Sequence, residues 1–323
     1  MTRIVSSTAS LAILLVVGLH AAPTQAQSQL ARTYVSSLGS DTNDCNRLTP
    51  CRTFAVAHGK TLGKGEITVL DPGGYGAVTI TKAISIINDG VGEAGILVSG
   101  GFTGITVNAG AGDAVSLRGI TIKGIGFGGG DGIHFNSGKS LTIENCAIRT
   151  LDGIGTGFGV LFNPAPIAGA TSSLTVSNTI VSDTTSSGIV VNPGGAGIVT
   201  AQFNRVEVFN TGSSAFVVVG SSSTGLVRAV AFQSVAASND NHGFIAQSAA
   251  GKAPTRFMIV NSVSASNDIG VSVGTNAIAR IGQSHIFANS TAWAANGGQV
   301  ISFGDNHIID NGQEFAPPTV SLQ

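Results

Sequence analysis

Charged and aromatic residues are scarce in this chain of 323 residues. Lys, Arg, Asp and Glu together make up 10% of it, and Phe, Trp and Tyr make up 6%. The 16 basic and 17 acidic residues nearly cancel, and no basic run is present that would neutralise a row of phosphates, which argues against a nucleic-acid-binding protein. Few aromatic residues also argue against a conventional two-layer domain, whereas repetitive β structure packs small and β-branched side chains.

Long apolar runs are missing too. The most apolar stretch, residues 11–19, is too short for a membrane-spanning helix, which needs about 20 residues, so no membrane span is expected. The stretch follows Arg3 and precedes the small-x-small pattern Thr24-Gln25-Ala26. We therefore predict a signal peptide over residues 1–26, cleaved after Ala26, and a mature protein that is secreted or periplasmic.

Cysteine is limited to three residues. Cys45 and Cys51 enclose a short loop, and in an exported protein this spacing predicts a local disulfide. A metal site is the alternative for this pair, but no histidine lies near it, so we assign no metal. Cys146 lies within a predicted strand, where a free thiol behaves as a small hydrophobic residue.

Glycine, by contrast, is abundant, with 45 residues. From about residue 140 a passage recurs that consists of a strand, a short polar turn and a glycine-led strand. An amide or an acid marks the turn at spacings of 27, 29, 28, 22 and 22, namely Asp183, Asn210, Asn239, Asn267, Asn289 and Asn311. Asparagine suits such a turn because it tolerates left-handed backbone angles and its amide can bond the next coil.

The glycine-led strands superimpose by alternation. Each places a pair of apolar residues on one face, as in Ile133/Phe135, Val160/Phe162, Ile189/Val191, Phe216/Val218, Phe244/Ala246 and Val271/Val273. A period of 22 to 29 residues with several short strands predicts an all-β solenoid, a single-stranded parallel β-helix whose coils stack about 4.8 Å apart. Leucine-rich repeats share this period, but their fixed leucine spacing is absent here, and propeller blades are longer, at roughly 40 residues or more.

The ends of the solenoid are expected to differ from its coils. Residues 27–65 are predicted to form an N-terminal cap that contains the disulfide, with a short capping helix within residues 51–62. Residues 66–313 are predicted to form the β-helix. Residues 314–323, with Pro317 and Pro318, are expected to be a flexible tail.

Three motifs near the N-terminus carry a family resemblance. Residues 50–54 (PCRTF), 71–76 (DPGGYG) and 80–86 (ITKAISI) resemble the start of bacterial right-handed β-helix proteins of the pectin-lyase-like superfamily. The resemblance covers about residues 33–312 and implies a right-handed helix. Because the superfamily includes pectate lyases, polygalacturonases and proteins of no known reaction, it implies a polysaccharide as a candidate partner but no particular activity.

Hydrolysis of a polysaccharide would need two carboxylates on either side of a sugar bond. Of the motifs typical of polygalacturonases, this chain has only the His-Gly pair, at His242. The nearest carboxylates are Asp240 and Asp268, which we expect in successive turns about 5 to 7 Å apart. The alternative interpretation is that both are solvated acids within the asparagine turns.

Pectate-lyase-like chemistry would use a basic residue and acids that hold calcium. Arg228, Arg256 and Arg280 lie near the starts of strands at spacings of 28 and 24, so we expect them on one outer face as a substrate-binding set for an acidic polysaccharide. Alternatively, they repeat only because the coil repeats. No cluster of three acids marks a calcium site in the sequence, and Ca²⁺ enters only under the lyase hypothesis.

Two further features are candidates for function. Asp131 and His134 are a candidate acid and base on an exposed strand, with an ordinary surface histidine as the alternative. Leu161, Val190, Val217 and Ile245 alternate out of phase with the core and predict an outer apolar stripe, covered by a loop such as residues 164–172 or by a partner.

Two functions follow as hypotheses. The first is an exported, non-catalytic β-helix that binds glycans or is associated with the envelope, because the acid–base motifs are missing and the charge is low. The second is a lyase or hydrolase that acts on an acidic, uronate-containing polysaccharide, because of the superfamily resemblance and the three arginines.

Overall fold

The computed structural model describes residues 29–126, 128–153 and 156–320, so the predicted signal peptide lies outside the described residues. The elements in chain order are β1 (Leu30–Val35), α1 (Phe54–Lys60), β2 (Thr61–Val69), β3 (Gly73–Gly74), β4 (Val78–Ile80), β5 (Ile84–Ile87), β6 (Ala94–Val98), β7 (Ile105–Asn108), β8 (Ala114–Arg118), β9 (Ile120–Gly124), β10 (Ile133–Ser137), β11 (Ser140–Glu144), β12 (Ala147–Leu151), β13 (Val160–Phe162), β14 (Thr171–Thr184), β15 (Ile189–Val191), β16 (Ile198–Thr211), β17 (Phe216–Val219), β18 (Leu226–Phe232), β19 (Val235–Ala237), β20 (His242–Gln247), β21 (Thr255–Val260), β22 (Val263–Ala265), β23 (Ile269–Gly274), β24 (Ala277–Gly282), β25 (His285–Phe287), β26 (Thr291–Asn296), β27 (Gln299–Ser302) and β28 (His307–Ile309).

Each coil of the chain has three strand segments, which we call the first, second and third limbs. In one coil, β18, β19 and β20 are the first, second and third limbs. First and second limbs together form a 19-stranded sheet, and third limbs form a nine-stranded sheet. Strands of successive coils pair in parallel on all three limbs. The predicted all-β parallel solenoid is therefore confirmed.

The third limbs stack in the register that the alternation pattern predicts. Paired positions run through Ile133, Val160, Ile189, Phe216, Phe244 and Val271. All six side chains are buried. The superposition of the glycine-led strands is confirmed, because residues two apart in a strand point to the same face.

Stacked phenylalanines fill much of the core. The rings of Phe135 and Phe162 lie 4.5 Å apart, and those of Phe216 and Phe244 lie 5.0 Å apart and nearly parallel. Burying one such side chain contributes about 1.5–3 kcal/mol. A modest number of phenylalanines suffices here because a ring in one coil stacks on a ring in the next at about the strand spacing.

A buried ladder of asparagines occupies the corner between second and third limbs in the C-terminal coils. The side-chain amide nitrogen of Asn239 donates to Asn267 Oδ1 at 2.8 Å, Asn267 donates to Asn289 Oδ1 at 3.0 Å, and Asn289 donates to Asn311 Oδ1 at 3.0 Å. The same oxygens accept backbone N–H groups from the preceding coil. Each amide thus ties one coil to the next, as expected from the spacing.

The prediction that Asp183 and Asn210 belong to this ladder is wrong. Thr211 occupies the ladder position one coil before Asn239, and its hydroxyl lies 2.9 Å from Asn239 Oδ1. Asp183 and Asn210 precede that position by one residue and have left-handed φ values of 55° and 54°, like the later Ser238, Ser266, Ala288 and Asp310. The left-handed residue turns the chain and is exposed, and Asn210 Nδ2 donates to Asp183 Oδ1 at 3.3 Å on the outside of the corner, whereas the buried ladder is formed by the residue that follows.

A second polar ladder, which the sequence analysis missed, occupies the corner between first and second limbs. Ser234 N–H donates to Ser262 Oγ at 3.1 Å, Ser262 N–H to Ser284 Oγ at 3.2 Å, and Ser284 N–H to Asn306 Oδ1 at 2.9 Å. The recurring dipeptides Gln233-Ser234, Asn261-Ser262 and Gln283-Ser284 are the signal for it. Their first residues again have left-handed φ values, of 51°, 49° and 51°.

The N-terminal cap contains the predicted disulfide and helix. Cys45 and Cys51 are bonded, with their Cα atoms 4.6 Å apart. Helix α1 is shorter than the predicted range, because the chain enters β2 at Thr61. Thr53 caps the helix by accepting the Val56 N–H at 3.3 Å. Strand β1 precedes the helix and forms an edge strand that pairs with β2. This strand was not predicted from the sequence.

The segment after the last coil makes defined contacts up to residue 320. Trp293 Nε1 donates to the Phe315 carbonyl at 2.8 Å, and the two rings lie 4.6 Å apart. Ser302 N–H donates to the Pro318 carbonyl at 2.8 Å. These contacts place residues 315–318 against the final coils, and the flexibility expected for residues 314–323 stays a prediction.

Candidate functional site

Three arginines meet on the outer face of the first limbs. Arg228 pairs with Arg256 across β18 and β21, so these two lie one above the other. Arg280 pairs with Met258, two residues farther along the strand, so it lies in the adjacent outward row and not directly above Arg256. The three side chains nevertheless line one open groove of about 350 Å³, whose lining includes Gln202, Val230 and Met258. We call it the arginine groove.

Simple alternation produces this groove. In β18, Val227, Ala229 and Ala231 are buried, so Arg228 and Val230 face outward. In β21, Thr255, Phe257 and Ile259 are buried, so Arg256 and Met258 face outward. The arginines are among the residues predicted from the sequence, whereas Val230 and Met258 are not, although their alternation with the arginines is visible in the sequence. The groove is therefore both cationic and apolar.

The arginines have no carboxylate within ion-pair distance in the part of the chain that the structure describes. The ion pairs there join Arg32 to Glu66, Arg118 to Asp89 and His134 to Asp131. Guanidinium groups on adjacent strands, about 4.8 Å apart at the backbone, repel one another weakly in water. An anionic ligand would relieve this repulsion and could bind each guanidinium through two hydrogen bonds.

The structure brings Asp131 and His134 together on the third limb. Asp131 Oδ2 lies 3.2 Å from His134 Nδ1, and its other oxygen accepts the Phe158 N–H at 3.1 Å. The other ring nitrogen of His134 lies 3.2 Å from Asn163 Oδ1, one coil away. The Asp131 side chain is 6% exposed and that of His134 is 25% exposed. A buried carboxylate thus orients a partly accessible imidazole, an arrangement able to support proton transfer.

The remaining candidates lie near one another, but no ion pair or side-chain hydrogen bond joins them among the described residues. His242 is half-buried, with Nδ1 3.0 Å from Ser214 Oγ. Burial lowers the pKa of His242, and the nearby Asp268 carboxylate opposes that shift. Asp240 and Asp268 are exposed and follow Asn239 and Asn267 in successive coils. They lie at the laddered corner, away from the arginine groove.

The predicted outer stripe lies on the third limbs, where Leu161, Val190, Val217 and Ile245 pair in sequence. Val190 is 7% exposed, and the other three are half-buried. The stripe is therefore partly shielded from solvent.

The described residues hold no group of three or more His, Cys, Asp or Glu side chains placed to bind a metal ion. Nor does any helix among them have the length and apolar character to cross a membrane.

Comparisons with known proteins agree with this architecture. A family model described as "Right handed beta helix region" matches residues 67–232. Pectate lyase Pel9A superimposes with a TM-score of 0.52 at 17% identity, over 91% of this chain and 78% of that one. A GH136 lacto-N-biosidase from Eubacterium ramulus superimposes with a TM-score of 0.52 at 14% identity, over 86% and 68%. No curated protein matches the chain. At these identities the structural likeness establishes the fold alone.

Proposed function

We propose that this chain, which belongs to the right-handed β-helix family, is an exported protein that binds an acidic polysaccharide in the arginine groove without cleaving it. The observation that carries the proposal is the meeting of Arg228, Arg256 and Arg280 in one groove with no carboxylate partner in the described chain. The two similar solved structures bear the names of a pectate lyase and a lacto-N-biosidase, which favours a carbohydrate ligand.

The chemistry of the groove suits a uronate polymer better than a neutral glycan. Carboxylates of such a polymer would pair with the guanidinium groups, and apolar faces of the sugar rings would pack on Val230 and Met258. A neutral polymer would leave three guanidiniums without charge compensation. Affinity should therefore fall as salt concentration rises, since added salt screens exposed charges and shortens the Debye length below its physiological value of about 8 Å.

The absence of catalysis is proposed from the separation of the candidate groups. The lining of the arginine groove, among described residues, includes no carboxylate and no imidazole. The Asp131–His134 pair lies on a third limb, and Asp240, His242 and Asp268 lie at or beside the corner between second and third limbs. General acid–base catalysis requires a group within hydrogen-bond reach of the reacting proton, and none of these flanks the arginines.

Binding is tested with the purified protein and polygalacturonate, alginate and a neutral glucan, by affinity electrophoresis and calorimetry. We expect retention by the uronate polymers alone, and a loss of at least about tenfold in affinity for Arg256→Ala, since a charge-assisted hydrogen bond contributes about 1.5–3 kcal/mol. Arg149→Ala is the matched control, because Arg149 is exposed on a second limb outside the groove. Equal losses in both variants, or binding to none of the polymers, would refute the proposal.

The alternative function is a lyase or hydrolase that acts on the same polymers, and the names of the two similar structures favour it. Incubation with polygalacturonate, with and without Ca²⁺, followed by ultraviolet detection of unsaturated ends and by a reducing-sugar assay, distinguishes the two functions. Turnover that disappears in Arg256→Ala would establish a lyase in the groove. Turnover that disappears in His134→Ala would instead assign catalysis to the third limb.

A further inference from the structure

The second limbs of five successive coils form an outer face that is largely apolar and unpartnered. It has two rows of side chains, Glu207, Val235, Val263, His285 and His307 in one and Phe209, Ala237, Ala265, Phe287 and Ile309 in the other. We call it the apolar face. Phe287 is 40% exposed and Ile309 is 54% exposed. Sheet faces of this character mark interaction surfaces.

Charge is distributed unevenly along the apolar face. Glu207 lies in the first of the five coils, whereas His285 and His307 lie in the last two, with their rings stacked 4.8 Å apart. At the adjoining corner, Arg205 lies in the first coil and Asp305 in the last. The first coil therefore presents an acid, Glu207, in the row and a base, Arg205, at the corner. The last coil presents a base in the row and an acid at the corner.

We propose that the apolar face binds a second copy of this chain, related by a two-fold axis that lies in the interface and runs along β22. Such an axis reverses the order of coils and keeps each row opposite itself. Glu207 then faces His307 of the second copy, and Arg205 faces Asp305 of the second copy. Each pair occurs twice, as an isologous interface requires.

The side-chain sizes in the second row agree with the same axis. Ala265 lies on the axis, and Phe287 faces Ala237 of the second copy, so this ring meets a small residue, while Phe209 at the end of the row faces Ile309. Facing sheets pack about 10 Å apart, which an aromatic ring opposite an alanine fills. Any shift by one coil would bring Phe287 opposite another large residue or separate Glu207 from His307.

The overlap is short. Five coils at about 4.8 Å span about 24 Å, which is small for a permanent dimer, so the dimer should form reversibly and depend on concentration. The arginine groove lies on the first limbs and stays open in this arrangement, so glycan binding does not compete with dimerisation. Two grooves per dimer would also raise the apparent affinity for a polymer.

Sedimentation velocity over a concentration series is the first test. We expect the native protein to shift from monomer to dimer, and Phe287→Glu to remain monomeric at every concentration. Phe102→Glu is the matched control, because Phe102 is 74% exposed on a loop outside the apolar face. A native protein that stays monomeric up to its solubility limit, or equal effects of the two variants, overturns the proposal.

Charge reversal tests the orientation of the two copies. Glu207→Lys should weaken the dimer at least about tenfold, and the double change Glu207→Lys with His307→Glu should restore it. Val263→Cys places a thiol near the axis and should be joined to its counterpart by a short bismaleimide, whereas Arg149→Cys, outside the overlap, should not. Dimerisation without rescue, or with equal crosslinking of both cysteine variants, would exclude this axis. Circular dichroism of every variant verifies folding.

Discussion

The N-terminal part of the molecule and its C-terminal coils turn the chain by different means. From about residue 234 onward, buried serine and asparagine ladders occupy two corners of each coil. In the N-terminal coils, glycines such as Gly100, Gly101 and Gly119 adopt left-handed angles, with φ of 60°, 79° and 71°. The cap relies instead on a disulfide and on hydrogen bonds to Asp71. In the C-terminal coils the repeated ladders permit coils of 22 residues. In the N-terminal coils the glycine loops vary in length, which leaves room for side-chain clusters such as Asp131 and His134.

The largest expected effect is at the centre of the asparagine ladder. Asn267→Ala removes the oxygen that accepts from Asn239 and the amide that donates to Ala236, Ser264 and Asn289. Because each buried group left without a partner costs about 1–3 kcal/mol, we expect a loss of about 3–5 kcal/mol in the free energy of unfolding. Urea denaturation measures it. The exposed Asn241→Ala is the control, and comparable losses in the two would mean that the ladder does not stabilise these coils.

Removal of the disulfide should have the next largest effect. Replacing Cys45 and Cys51 together by serine frees a loop with a sequence separation of 6, and chain entropy predicts a loss of about 2 kcal/mol. Thermal unfolding of the double variant, and of the native protein with and without reductant, measures the change. If the reduced native protein unfolds at the same temperature as the oxidised one, the cap does not depend on this bond.

The acid network of the cap predicts a pH dependence. Partial burial acts to raise the pKa of Asp71, but hydrogen bonds from Ser36, Ser37 and Tyr75 outweigh it and lower the pKa to about 2. A carboxyl whose pKa is lower in the folded state than its unfolded value of about 3.9 stabilises the protein above that value. The contribution is lost as pH falls through about 2.

The Asp71→Asn variant measures this contribution. At neutral pH the variant should have a free energy of unfolding lower than that of the native protein by on the order of 1 kcal/mol, a figure reduced for solvent screening. At pH near 2 the two proteins should have similar free energies of unfolding. Unfolding by urea at several pH values is the measurement, with Asp240→Asn at the exposed laddered corner as control. A difference that persists unchanged at low pH would contradict the assigned hydrogen bonds.

The smallest expected effect is a gain. Thr150 has a left-handed φ of 59°, which strains a β-branched residue. Thr150→Gly should stabilise the protein by about 0.5 kcal/mol, because relief of strain exceeds the added entropy of the unfolded chain. Thr142→Gly, in the regular strand β11, is the control. Chemical denaturation of the two variants separates the relief of backbone strain from the added entropy of the unfolded chain. Destabilisation of equal size in both variants would remove the conformational argument.

Prediction from sequence succeeded where neighbouring residues decide the outcome. The pairs Ile133/Phe135 and Val160/Phe162 are buried as expected, and Cys45 is bonded to Cys51. It failed at Asp183 and Asn210, where a shift of one residue separates an outward turn residue from an inward ladder residue. The arginines of the candidate site were identified, but Asn163, which contacts His134 from the next coil, was not.

The sequence by itself determined that the chain forms a solenoid, which faces of its strands are buried and which cysteines pair. These properties are local, since alternation and short loops depend on residues close in the chain. The tertiary structure decided which polar residues enter the ladders, that Met258 and Val230 join the arginines in one groove, and that residues 315–318 pack on the last coils. Those outcomes depend on register between coils, and one residue of register reverses the face on which a side chain lies.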